Sequence, residues 1–315
     1  MSKIAFLFPG QGSQAVGMGQ GLAAADPAAA DLFAMADQVV GFPLSTLMFE
    51  GPEATLTLTE NAQPALVITA LAAHQLLVNR TGIRPDYVAG HSLGEYAAIA
   101  AAGGFSAAEA VRLVRLRGQA MQQAVPVGEG GMAVLLNVAA AEVVELCAEA
   151  AATTDGICVP ANFNTPQQIV ISGHKRSVEQ AVALAKGRGA KRCIMLAVSA
   201  PFHSPLMEPA AAVMAGALAQ TAIQDLAVPL IANVTAQEVT SATTIRQLLV
   251  QQVTGNVQWE ASIRRLIALG VDTFIELGSG KVLTGMIKRI DESVQAVAVN
   301  GVEDVDKISP LVPSR

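Results

Sequence analysis

Charge is scarce in this 315-residue chain: 15% of its residues are Asp, Glu, Lys or Arg, against 52% apolar, and the mean hydropathy is +0.44. That balance invites a membrane reading, but no uncharged apolar run reaches the roughly 18 residues that a spanning helix needs. The best stretch, Pro64 to Val78, is shorter and carries His74 and Gln75. The apolar run after Lys3 is too short for a signal peptide and reads as a buried strand. Cysteine is also scarce. Cys147, Cys158 and Cys193 are odd in number and widely spaced, which fits neither a disulfide framework nor a zinc pattern and suggests buried thiols in a reducing compartment. A net charge of −6 leaves no basic surplus for nucleic acid. These exclusions leave a soluble, cytoplasmic protein of enzyme size, with no metal, membrane or nucleic-acid partner expected.

Apolar strands alternate with Ala-rich helices up to about Ala124, the rhythm of an α/β layer with a largely parallel sheet. The Gly/Pro-rich stretch from Val125 to Gly131 marks a boundary. Beyond it the sequence predicts strand 132–138, helix 140–152, strands 157–163 and 168–172, helix 177–188 and strand 191–198. This βαββαβ order is the ferredoxin-like arrangement. The α/β rhythm then resumes, with strands at 229–234, 272–277 and 295–299, helices at 245–253, 259–268 and 281–290, and a loose tail from Ser309. The expected fold is α/β: an α/β-hydrolase-like large domain with a parallel sheet, formed by residues 1–127 and 199–315, and an inserted ferredoxin-like small subdomain at 128–198.

Gly90-His91-Ser92-Leu93-Gly94 lies between a short apolar strand and a helix. This G-x-S-x-G context is that of a nucleophile elbow, in which a tight turn presents the serine in a cleft. The following helix aims its free N–H groups and dipole at the same point, where an oxyanion would develop. The serine needs a base, and the chain has four histidines. His91 adjoins Ser92 on the turn and reads as a packing residue. His74 is mid-helix, and His174 reads as a local cap. His203, in a loop between Pro201 and Pro205 and downstream of the serine, is the candidate base.

Gly10-Gln11-Gly12-Ser13-Gln14 lacks the spacing of a dinucleotide fingerprint or a P-loop. Its better use is to aim a backbone N–H, at Gln11, across the strand ends toward the serine. With the N–H of Leu93 that would form an oxyanion hole. Arg112, Arg115 and Arg117 share an otherwise apolar helix, so at least one must point away from the outer surface. An inward arginine near the nucleophile is a fork for a substrate carboxylate. Lys186, Arg188, Lys191 and Arg192 form a basic cluster, a solvated face or a docking site for an acidic partner.

Together these segments resemble the malonyl-CoA:acyl carrier protein transacylase family, over nearly the whole chain. The motifs that carry the resemblance are Phe8-Pro9-Gly10-Gln11-Gly12-Ser13-Gln14, Gly90-His91-Ser92-Leu93-Gly94-Glu95, Arg117-Gly118, Asn162-Phe163-Asn164-Thr165-Pro166, Pro201-Phe202-His203-Ser204 and Glu276-Leu277-Gly278-Ser279-Gly280-Lys281. The resemblance implies that Ser92 carries the acyl group as an ester and that His203 is base and acid. It also implies that the amides of Gln11 and Leu93 hold the oxyanion, and that Arg117 grips the malonyl carboxylate. A main-chain carbonyl, at Gln252, orients the histidine in place of an acid. Asn162 and Gln168 line the pocket or meet the CoA arm, and Phe202 with Leu93 disfavours an α-methyl group. The implied partners are malonyl-CoA and an acyl carrier protein bearing phosphopantetheine. No bound cofactor is implied, and a monomer is expected. Three alternatives remain at this stage: a trans-acting acyltransferase of a polyketide assembly line, a serine thioesterase or hydrolase, and a non-catalytic or editing homologue that binds carrier protein within a larger assembly.

Overall fold

Strand β1 (Lys3–Phe8) is buried from Ile4 onward, as a strand covered on both faces must be. In the computed structural model, which describes residues 2–198 and 200–308, it is joined by β2 (Tyr87–Gly90), β3 (Gly130–Leu136), β4 (Cys158–Thr165), β5 (Gln168–His174), β6 (Arg192–Met195), β7 (Leu230–Ile231), β8 (Glu238–Val239), β9 (Val271–Leu277) and β10 (Gln295–Val299). The architecture is mixed α/β. One sheet runs β10-β9-β1-β2-β7-β8, parallel as far as β7 and closed by the antiparallel pair β7–β8. The second sheet runs β4-β5-β3-β6 and is antiparallel throughout.

Two expectations change here. The strand predicted at 229–234 is only Leu230–Ile231, because the next amides leave the ladder. The N–H of Ala232 donates to the carbonyl of Gln237, and that of Asn233 donates to the Glu95 carboxylate. The resulting hairpin with β8 has no clear pattern in the sequence. The strand predicted at 191–198 is shortened to Arg192–Met195, so Leu196, Ala197 and Val198 are free to line a cleft. The tail from Ser309 lies outside the described residues.

The apolar stretch Pro64 to Val78 falls in the helix Thr59–Thr81, buried on nearly all sides, which is the behaviour of a core helix. Among the described residues no single helix is long and apolar enough to cross a membrane. His74 sits on it half-buried, its ring edge-on to Phe6 at 5.8 Å.

The small sheet divides its side chains by the two-residue period of a strand. Ala133, Leu135, Ile169 and Ile171 join a cluster of their own with Leu146, Val178 and Ala181 from the helices Ala140–Thr154 and Lys175–Gly187. Met132, Val134 and Val170 point the other way, into the main core. A backbone bridge ties β4 to the larger part: the N–H of Phe163 donates to the carbonyl of Val257 (2.9 Å), and the N–H of Val257 to that of Ala161 (2.8 Å). A cleft of ≈ 400 Å³ lies between the two sheets. At its rim the buried Glu276, at the end of β9, accepts the N–H groups of Leu283 (3.1 Å) and Thr284 (2.7 Å). That fixes the helix Val282–Ile290, whose residues Val282, Leu283 and Met286 line the cleft.

Candidate active site

The turn after β2 places its strain on the serine and not on the glycines. Ser92 has φ 54°, a left-handed conformation that costs a non-glycine residue about 1–2 kcal/mol. Gly90 and Gly94 serve close approach instead. A Cβ on Gly90 would lie 2.0 Å from the carbonyl of Gly94, and one on Gly94 would lie 2.1 Å from that of Phe8. The two glycines permit the tight turn by letting strand, turn and helix Gly94–Ala101 cross at close range. One side chain brackets the strained residue. Asn233 Oδ1 accepts the Ser92 N–H at 2.7 Å, while its Nδ2 donates to the carbonyl of Gly90 at 2.6 Å.

His203, also at positive φ (56°), sits in a tight loop held by a bond from Ser204 Oγ to the carbonyl of Pro201 at 2.7 Å. Its Nε2 lies 2.7 Å from Ser92 Oγ. Its Nδ1 faces two carbonyls, Gln252 at 2.9 Å and Gly255 at 3.0 Å. Carbonyls only accept, so Nδ1 carries the proton and Nε2 has a free lone pair for the serine hydroxyl. Gln252 lies in the last turn of the helix Ala242–Thr254, and Gly255 is its C-cap. Carbonyls there lack helical partners and form the negative end of the dipole. They orient the ring and favour the imidazolium, which is why no carboxylate is needed behind it.

Arg117 is the inward arginine. It is 1% exposed, and its guanidinium donates to Gln63 Oε1 (2.8 Å), Gln252 Oε1 (2.8 Å) and Ser92 Oγ (3.1 Å). Its Nε is buried with no partner among the described residues, and burial holds the group below its ordinary pKa. Arg112 turns outward onto Glu109. Arg115 bonds Asn61 and the carbonyl of Glu60. A buried cation without an ion pair is costly, and an anion entering the cleft relieves that cost.

The other sequence candidates gather here too. Gln11, Leu93, Asn162, Gln168 and Phe202 line the cleft with Ser92, Arg117 and His203. Leu93 is the N-cap of the helix Gly94–Ala101, so its amide is among the free donors of that terminus. The Gln11 side chain bonds Thr59 Oγ1 at 3.1 Å. His91 stays out of the proton path: its Nε2 is 2.9 Å from Asn164 Oδ1 and its ring packs on Trp259. His174 is not a side-chain helix cap. Its Nδ1 accepts the N–H of Ile157 at 2.9 Å, holding β5 to the start of β4.

Sequence reasoning missed Gln63, Glu95 and Asn233. Glu95 reads as an ordinary first-turn acid, yet it is buried beneath the elbow. Burial pushes its carboxyl up to about 7 against the pull of the Asn233 N–H, the Gln252 amide and Arg117. Its position directly after the elbow glycine is the one available signal. Asn233 follows a two-residue strand and carries none.

Burial, then Arg117 and His91, lower the His203 pKa to about 3, against the two carbonyls that raise it. The base form of the free enzyme therefore persists well below the ordinary pKa of 6.5. The acid limb of kcat/KM, which reports the free enzyme, is expected well below pH 6 in a stopped-time assay at a pH where the protein stays folded. An acid limb centred near 6.5 would show that His203 is not held in this way.

The acyl transferase domain family matches residues 5–306 of the chain. The chain is 48% identical over 306 residues to a malonyl CoA-acyl carrier protein transacylase of Bacillus subtilis, covering 97% of this chain and 96% of that one. It is 43% identical over 300 residues to the protein of the same name from Escherichia coli, covering 95% and 96%. Among solved structures it is similar to an acyl-carrier-protein S-malonyltransferase from Bartonella henselae, with TM-score 0.95, 46% identity and coverage of 98% and 99%. It is also similar to a malonyl-transacylase solved in complex with a type II PKS acyl-carrier protein, with TM-score 0.96, 40% identity and coverage of 99% and 100%.

Proposed function

The chain belongs to the acyl transferase domain family, and from that premise we propose that it moves malonyl groups from malonyl-CoA to the phosphopantetheine thiol of an acyl carrier protein, supplying fatty-acid synthesis. The observation that carries this reading is one hydroxyl, Ser92 Oγ, lying 2.7 Å from His203 Nε2 and 3.1 Å from the buried Arg117 guanidinium. A nucleophile, its base and a carboxylate receptor converge on one atom.

Ser92 Oγ attacks the thioester carbonyl carbon as its proton passes to His203 Nε2. The amides of Gln11 and Leu93 hold the oxyanion. Collapse breaks the C–S bond, and the coenzyme A sulfur leaves with the proton from Nε2. The malonyl ester remains on Ser92. The carrier's thiol then gives its proton to His203, attacks the ester, and leaves Ser92 reprotonated. Arg117 binds the malonyl carboxylate throughout, and that anion offsets the positive charge that depresses His203, so the base strengthens once substrate is seated. Asn162 and Gln168 line the cleft, where they shape the pocket or meet the CoA arm. The enzyme has no bound cofactor and acts as a cytoplasmic monomer. Its architecture is an α/β-hydrolase-like domain of residues 1–127 and 199–315 with a ferredoxin-like subdomain at 128–198, a reading supported by the βαββαβ order of the second sheet.

Competition among malonyl-, methylmalonyl- and acetyl-CoA, with a phosphopantetheinylated carrier as acceptor, tests the function. Malonyl is expected to win over both. The Phe202 ring in the cleft crowds an α-methyl group, and acetyl leaves Arg117 unpaired. Fast malonyl-CoA consumption without any acceptor would instead identify a hydrolase.

A second reading, supply of a polyketide carrier, is favoured by the similarity to the transacylase solved with a type II PKS carrier. The ratio of kcat/KM on carriers of the two kinds decides between them. The exposed Lys186, Lys191 and Arg192 are proposed to dock that acidic partner, and Arg188 is tied to Glu149. Arg192 is four residues before Leu196 of the cleft, about 13 Å of extended chain. Reversing the charge of Lys191 and Arg192 is expected to raise KM for the carrier several-fold at low salt and to leave malonyl loading of Ser92 unchanged. An unchanged carrier KM counts against the docking site.

A further inference from the structure

Beneath the elbow lies a buried chain of polar groups whose link from Glu95 through the Gln252 side-chain amide to Arg117 has no part in the transfer steps above. Glu95 Oε1 accepts the backbone N–H of Asn233 at 2.9 Å, and Oε2 accepts Gln252 Nε2 at 2.5 Å. The same Nε2 donates to the carbonyl of Ser92 at 2.8 Å, and Gln252 Oε1 accepts from Arg117 at 2.8 Å. Glu95 is 1% exposed and Gln252 fully buried, so water cannot substitute for a lost partner.

An amide has two ends, and which end faces which neighbour decides whether this chain holds together. In the observed orientation the NH2 group meets two acceptors and the oxygen meets a cation. Rotated by 180°, the oxygen would face the Ser92 carbonyl and the Glu95 carboxylate, and the NH2 group would face the guanidinium. Every contact would then be repulsive. Once ionised, above the value of about 7 to which burial raises it, Glu95 supplies the strongest of the acceptors that forbid the rotation, since a charged acceptor binds roughly twice as strongly as a neutral one. We propose that Glu95 is a positioning residue for substrate selection: its carboxylate locks the Gln252 side-chain amide in the one orientation that presents Oε1 to Arg117, and so aims the guanidinium at the malonyl carboxylate.

The isosteric change Glu95→Gln exposes this role. A glutamine at 95 has one acceptor for two donors, the Asn233 N–H and Gln252 Nε2. Whichever way it turns, one donor meets another donor. If the Gln252 amide yields, Arg117 loses its acceptor and is pushed off line. If Asn233 yields, the elbow itself loosens. The first outcome harms only donors that carry a carboxylate, whereas the second harms every donor.

This inference rests on the transfer reading above, and its test keeps the two apart. Transfer from malonyl-CoA and from acetyl-CoA to a phosphopantetheinylated carrier is measured for the wild type, Glu95→Gln and Glu95→Asp. The Asp variant keeps the charge but draws the carboxylate back by one methylene from Gln252. Glu95→Gln is expected to lower the malonyl-to-acetyl ratio of kcat/KM by about tenfold or more, the worth of one charge-assisted hydrogen bond, mainly through a higher KM for malonyl-CoA. Glu95→Asp is expected to lower it by about threefold or more, and it decides the matter if the Gln variant does not fold. An equal fall for both donors, or an unchanged ratio in a folded variant, overturns the proposal while malonyl transfer by the wild type stands. A wild type that transfers no malonyl overturns the functional reading and this inference with it.

Discussion

Ser92→Ala is expected to abolish the malonyl adduct that forms when the protein is mixed with malonyl-CoA, and to lower turnover by about 10³-fold or more, the usual consequence of removing an activated nucleophile. The hydroxyl is held by the backbone, through φ 54° and the Asn233 bracket, and Ala at that position keeps the turn. The loss is therefore chemical. The adduct should appear as a malonyl mass increment on the peptide containing residue 92 and vanish on addition of holo carrier protein. An increment that survives in the Ala variant, or that sits on another peptide, would remove the ester from the mechanism.

Arg117→Ala is expected to cost malonyl transfer about 10²–10³-fold in kcat/KM while acetyl transfer changes far less. Two charge-assisted bonds to the carboxylate are worth about 3–6 kcal/mol together, of which part is offset by desolvation, and each 1.4 kcal/mol is tenfold. Without the guanidinium the malonyl carboxylate would be buried unpaired, which adds to the loss. Arg117→Lys should not restore the activity, because an ammonium cannot hold the Gln63, Gln252 and substrate contacts in one plane. The substitution has a second signature. Arg117 is one of the groups that depress His203, so its removal should move the acid limb of kcat/KM upward in pH. Equal losses for malonyl and acetyl donors would show that Arg117 supports the elbow and does not select the substrate.

Much of this site was legible in the linear chain because some of its demands are local. A tight turn between strand and helix left its mark at Gly90-His91-Ser92-Leu93-Gly94, and an apolar helix carrying three arginines had to turn one of them inward. Gln252 was different. Its role came only from resemblance, since any residue can offer a main-chain carbonyl. Glu95, Asn233 and Gln63 left weaker traces still. Each is an ordinary polar residue whose environment is made by elements far away in sequence, as when Asn233 reaches back to Gly90 and Ser92. The amide of Asn233 going to Glu95 also explains why the strand at 230 stops after two residues, a shortening that propensity cannot foresee.

By itself the sequence determined the alternation of most strands and helices, though not the short strand β8, together with the presence of a nucleophile elbow and the identity of a histidine and an arginine worth pairing with it. These follow from periodicity, turn chemistry and residue type, which act over a few neighbours. Only the tertiary structure decided that residues 117 and 203 meet on the hydroxyl of Ser92, with the Gln252 carbonyl behind the histidine, and that Nδ1 and not Nε2 of that histidine holds the proton. Distance in space and the direction of a hydrogen bond arise when separate elements pack, and no local pattern encodes them.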